Sequence, residues 1–154
     1  EIRPLINSRL IKNHVELALD IPENLPNIIA DPNQMQQVFL NLMLNAIDAI
    51  KQNGVITISS RFVNGKKLAT YKKRYPGLLA EQHYLMVVFT DNGAGMPPET
   101  VDKVFEPFFT TKTTGTGLGL SIVYRLLKEN RAAISLESRQ GKGTIFNMFF
   151  QTVD

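Results

Sequence analysis

The chain has 154 residues, 44% of them hydrophobic and 20% charged, which suits one globular domain with a core and leaves no room for a second. It contains no cysteine, which excludes disulfides, thiolate metal sites and cysteine nucleophiles and points to a reducing compartment. A formal charge of +3 is too small to argue for nucleic acid, and no apolar run approaches the roughly 18 residues of a membrane span.

Glu1 to Leu10 lacks the basic-then-apolar layout of a signal peptide and reads as the remnant of a linker helix. Val15 to Ile21 and Asn27 to Ile29, separated by Pro22 and Pro26, read as two short extended segments. The clearest helix opens at Asp31-Pro-Asn-Gln34: Asp31 caps free backbone donors, Pro32 suits the first turn and Gln34 completes a capping-box pattern. The pattern predicts that this helix stops near Gly54. Strands are expected at Val55 to Val63 and Tyr84 to Thr90, with residues 64–83 a long polar loop whose Lys66, Lys67, Lys72, Lys73 and Arg74 are solvated. A second helix is predicted over Leu118 to Asn130 from the apolar stripe of Leu118, Ile122, Val123, Leu126 and Leu127. Strands at Ala132 to Ser138 and Thr144 to Gln151 then form a hairpin around the glycines of Arg139–Gly143.

Several segments carry more than secondary structure. Gln37, Asn41, Asn45 and Asp48 draw a polar line along an otherwise apolar helix, and mid-helix asparagines aligned this way can offer carbonyl oxygens to a metal held by phosphates. An ordinary solvent-facing stripe is the alternative. Asp91-Asn-Gly-Ala-Gly-Met96 follows a buried strand and sets a carboxylate, able to accept from an exocyclic amine, before two glycines; a tight surface turn would look similar. Phe105-Glu-Pro-Phe-Phe109 precedes Gly115-Thr-Gly117-Leu-Gly119, which runs into the second helix. A helix N-terminus favours an anion, and Lys112 can add a mobile charge, although a flexible linker is the alternative there too. The glycine run follows a threonine-rich segment instead of a strand and so fails the dinucleotide fingerprint, and no Walker loop is present.

Together these four segments resemble, in order, the N, G1, F and G2 boxes of the histidine-kinase branch of the gyrase, heat-shock-protein-90 and MutL ATPase superfamily, at Asn41–Ala49, Asp91–Met96, Phe105–Phe109 and Gly115–Leu120. The resemblance implies an α+β fold, a two-layer sandwich of the Bergerat type, with a mixed sheet on about three helices and a mobile ATP lid over Phe105 to Thr116. It implies ATP and Mg2+ as ligands. Asn45 would be the principal magnesium ligand and Asn41 a supporting metal or phosphate contact. Asp91 would read the adenine amine, with support from Thr144. Gly93 and Gly95 would admit the nucleotide; Gly115, Thr116, Gly117, Leu118 and Gly119 would pass the phosphates, with Lys112 a further phosphate contact. Phe105 and Phe108 would anchor the lid.

ATP-hydrolysing relatives place a glutamate general base four residues before the metal asparagine, where this chain has Asn41, so the resemblance implies phosphoryl transfer to an external histidine. Neither His14 nor His83 sits in the family's phosphoacceptor pattern. The implied partners are a histidine-bearing dimerisation domain of the parent chain and a response regulator. The isolated piece is expected to be a cytoplasmic monomer, and the parent a homodimer open to membrane anchoring. Asp48 departs from the basic residue frequent at that place, and with Asn45-Ala-Ile-Asp-Ala49 it resembles the nitrogen-regulation sensors. The rival expectations are a gyrase- or MutL-type ATPase switch and a degenerate nucleotide-binding interaction module.

Overall fold

A computed structural model describes residues 3–75, 77–79, 82–110 and 117–153. The elements are α1 (Arg3–Lys12), β1 (Val15–Asp20), α2 (Pro32–Ile50), β2 (Gly54–Val63), α3 (Gly65–Arg74), β3 (Tyr84–Asp91), the single turn α4 (Pro98–Val101), α5 (Gly119–Glu129), β4 (Ala133–Arg139) and β5 (Gly143–Gln151). The strands form one mixed sheet in the order β1-β2-β3-β5-β4. Among the described residues, only the β1–β2 pair of strands is parallel, as a pair joined through a helix can be, and the others are antiparallel.

The main core lies between one sheet face and the helices α1, α2 and α5. Met35, Val38, Leu42, Met43, Ala46 and Ile47 recur at helical spacing and turn α2 onto the sheet. Alternate residues of the central strands meet them, among them Ile56, Val87, Phe89, Phe146 and Met148. Val123, Leu126 and Leu127 of α5 and Ile6 and Leu10 of α1 complete this layer. The expected fold class is thus the one observed.

Residues 64–83, expected to be a polar loop, contain α3. Its Leu68 and the tyrosines Tyr71 and Tyr75 lie at helical spacing and close a second cluster, with Val63, Leu78, Tyr84, Met86 and Phe149, on the reverse face of the sheet. Lys67 and Lys72, two of the residues that made the stretch read as loop, are exposed on this helix. The described part of the sheet is therefore covered on both faces at the end away from Asp91.

Two boundary expectations also change. Helix α2 ends at Ile50 and not near Gly54, because Lys51 and Asn53 take left-handed backbone angles (φ 64° and 57°). Asp31 does cap α2, accepting from the N–H groups of Asn33 and Gln34 at 2.8 and 2.9 Å. Gln34, however, does not return the bond. Its amide reaches Glu129 and Asn130 of the α5 terminus, and Asn130 Oδ1 accepts the Asp31 N–H at 2.7 Å. A long-range asparagine has taken the place of the local capping box. Among the described residues no helix is long and apolar enough to cross a membrane.

Candidate functional site

Helix α2 is the spine of the site. Asn41, Asn45 and Ala49 are one turn apart and so share a face. At one end of this line the Ala49 carbonyl accepts the N–H of Ala94 at 3.0 Å, which holds the turn 91–96. At the other end Asn41 Nδ2 donates to the carbonyl of Gly119, at the start of α5, at 3.3 Å. Two segments distant in sequence are thereby gathered along one helix face. Asn41 and Asn45 are half-buried, while Gln37 and Asp48 are exposed, so the middle of the polar line faces the gathered segments.

Asp91 ends β3 on the helix-facing side of the sheet and is only 3% exposed. Its Oδ1 accepts the Gly93 N–H at 2.9 Å, and the Thr144 backbone N–H also reaches the carboxylate. Burial raises the Asp91 pKa above its ordinary value of 3.8, and the two N–H donors offset part of that rise. Thr144 is Asp91's register partner on β5, and Ser138 on β4 is the partner of Thr144. The three side chains form a polar row across adjacent strands.

The glycines of the turn allow the close backbone approach expected of them, here to neighbouring protein backbone. A side chain at Gly95 (φ 65°) would strike the Arg139 carbonyl, and one at Gly143 (φ 114°) would strike that of Asp91. The Gly141 N–H donates to Ala94 O at 2.7 Å. Turns 91–96 and 139–143 are interlocked, backbone against backbone, and glycine is what allows it. Gly93 packs against Ala49 in the same way. Asn92 binds the turn to β2, its Oδ1 accepting the Val55 N–H at 2.8 Å.

At α5, Leu118 supplies no side-chain cap, and among the described residues nothing lies within 4 Å of a Cβ placed on Gly119 beside the helix N-terminus. Gly117 (φ 73°) lies against the backbone of Phe108, so the close approach it permits is to protein. Phe105 anchors this flank, with ring centroids 5.3 Å from Tyr124 and 6.5 Å from Phe146. Phe108 does not: its side chain is 74% exposed and its backbone is left-handed. Lys112, Gly115 and Thr116 lie outside the described residues.

No group of three or more His, Cys, Asp or Glu able to hold a metal occurs among the described residues. The two amides on α2 suit a hard cation that draws most of its oxygens from a bound phosphate ligand, and a dedicated protein cage is not needed for that. Sequence reading missed Asn92, Asn130 and Ser138, all of which make contacts remote in sequence. The Asp-Asn-Gly turn signal was the only hint of any of them.

Residues 30–154 match the family described as histidine kinase-, DNA gyrase B- and HSP90-like ATPases. The chain is 35% identical over 94% of its length to sporulation kinase E of Bacillus subtilis, and 39% identical over 97% of its length to the sensor kinase CckA of Brucella abortus. It spans only 17% and 16% of those two proteins. Among solved structures, the catalytic domain of the histidine kinase ThkA is 29% identical with a TM-score of 0.76, over 98% of this chain and 88% of that one. Full-length ShkA in complex with AMPPNP is 25% identical (TM-score 0.75; 99% of this chain, 29% of ShkA). ThkA in complex with the response regulator TrrA is also 25% identical (TM-score 0.71; 99% of this chain, 38% of ThkA).

Proposed function

The chain belongs to the family of histidine kinase-, DNA gyrase B- and HSP90-like ATPases, and from that premise we propose that it is a single ATP-binding catalytic domain of a sensor histidine kinase. In this reading it binds Mg-ATP and passes the γ-phosphoryl group to a histidine on a separate dimerisation domain. The observation that carries the reading is the gathering of the Asp91 turn and the α5 N-terminus along the Asn41–Asn45–Ala49 face of α2.

Each residue then has a task. Asp91 accepts the exocyclic amine of adenine, which its acceptor-only carboxylate suits. Gly93 and Gly95 shape the turn that receives the base. The start of α5, from Gly117 through Leu118 and Gly119, presents backbone N–H groups and the positive helix end to the phosphates, with Gly115, Thr116 and Lys112 contributing from the segment before it. Asn45, supported by Asn41, offers an amide oxygen to magnesium. When bound, the cation offsets phosphate charge and orients the γ-phosphoryl group for in-line attack.

Asn41 also decides the reaction. Its amide cannot take a proton from water as a carboxylate can, so hydrolysis is slow and an imidazole nitrogen is the better nucleophile. A nitrogen–phosphorus bond forms as the bond to the ADP oxygen breaks. The likeness to a kinase solved with AMPPNP supports the nucleotide, and the likeness to one solved with a response regulator supports that partner. The piece itself is read as a cytoplasmic monomer within a homodimeric parent.

The test supplies Mg-ATP and a separate histidine-bearing dimerisation domain. Acid-labile phosphate on that domain, lost with Asn45→Ala, supports transfer. Phosphate released to water at the same rate with or without the acceptor would contradict it.

A further inference from the structure

Ser138 plays no part in the reading above, yet its hydroxyl meets Thr144, the residue the family resemblance sets beside Asp91 at the base. Ser138 Oγ lies 2.9 Å from the Met96 nitrogen, 3.0 Å from the Gly143 carbonyl oxygen and 2.9 Å from Thr144 Oγ1. A serine hydroxyl has one proton and two lone pairs. The Met96 N–H can only donate and the Gly143 carbonyl can only accept. The serine proton therefore goes to Gly143, one lone pair takes the Met96 N–H, and the other is left for Thr144. Thr144 must donate to it.

That assignment turns the remaining lone pairs of Thr144 Oγ1 away from Ser138. Its register partner Asp91, on the same face of the next strand, is also an acceptor. Both groups are 3% exposed, so an unmatched partner is costly there. We propose that Ser138 is a positioning residue for base specificity: it holds the Thr144 hydroxyl as an acceptor beside the Asp91 carboxylate, a pair that welcomes a 6-amino purine and rejects a 6-oxo purine. This rests on the nucleotide-site reading and goes beyond it, because without Ser138 the Thr144 proton can rotate and donate to a 6-oxo group.

The test compares ADP with inosine diphosphate, which differ at the purine 6-position and cannot transfer a phosphoryl group in this reaction. Affinities with magnesium are measured for the unaltered chain, Ser138→Ala, Ser138→Thr and Thr144→Val. The unaltered chain should prefer ADP by about 100-fold or more, and Ser138→Ala should cut that preference about tenfold while Ser138→Thr retains it. A serine that only props up the turn would weaken both nucleotides in proportion, and an unchanged ratio overturns the proposal. Should Ser138→Ala fail to fold, Thr144→Val decides: removing the acceptor lowers the ADP preference about tenfold, and an unchanged ratio again overturns the idea. If the unaltered chain binds neither nucleotide, the nucleotide-site reading falls and this inference with it.

Discussion

At Asp91, burial and hydrogen bonding act on one carboxyl in opposite senses. Desolvation disfavours the charged form and raises the pKa, while the N–H groups of Gly93 and Thr144 favour it, and burial prevails. The folded state therefore holds the proton more tightly than the unfolded chain does. Asp91's contribution to stability is greatest below 3.8 and falls as pH rises from there through the raised pKa. Nucleotide binding should run the other way, since an amine donor favours the ionised acceptor: adenine nucleotide affinity is expected to decline as pH falls through the raised Asp91 value, and a pH series of titrations reads it. Asp91→Asn should abolish that pH dependence and remove adenine recognition, at a cost of about 1.5–3 kcal/mol for a hydrogen bond to a charged group. Asp91 was legible in the sequence through its company, since Asp-Asn-Gly alone is common turn chemistry and the ordered segments around it singled it out. Ser138 was not legible, because its meaning comes from Met96 and Thr144 across two turns.

The elements around the site are held by contacts of two kinds, and substitutions should separate them. Asn130 joins the end of α5 to the start of α2 through Asp31 and Gln34. Asn130→Ala is expected to cost about 1–2 kcal/mol in denaturant unfolding, as loss of a cap does, and to leave nucleotide affinity within about twofold. Gly95→Ala strains a left-handed backbone pressed on the Arg139 carbonyl, and it should cost about 1–3 kcal/mol and loosen the base end of the site as well. Normal nucleotide affinity in Gly95→Ala would show that the interlocked turns do not shape the site. Periodicity made α2 and α5 readable, since each has a long apolar stripe. Helix α3 was hidden because its short stripe of Leu68, Tyr71 and Tyr75 is set among lysines, and residues remote from it, Tyr84 and Met86 of β3 and Phe149 of β5, give that stripe something to cover.

For the molecule as a whole, order of segments outweighs any one of them. The polar line on α2 and the glycine-rich helix start each had a plain structural alternative in the sequence. The fold removes part of that ambiguity by joining the α2 line to both the Asp91 turn and the start of α5. It also shows that a side chain at Gly95 or Gly117 would strike the backbone of Arg139 or Phe108, partners that lie remote in sequence. A domain that binds a nucleotide should be stabilised by it: at 100 times the dissociation constant, binding adds about 2.7 kcal/mol, visible as a rise in thermal midpoint whose magnesium-dependent part is absent in Asn45→Ala.

The central claim is that one site holds the base at Asp91 and the metal-bound phosphates at Asn45. Calorimetric titration with a non-hydrolysable ATP analogue, with and without magnesium, on the unaltered chain, Asp91→Asn and Asn45→Ala, tests it most directly. The unaltered chain should bind, Asp91→Asn should lose adenine recognition under both conditions, and Asn45→Ala should lose chiefly the enhancement by magnesium. Heat of binding unaffected by either substitution, or no binding by the unaltered chain, would contradict it.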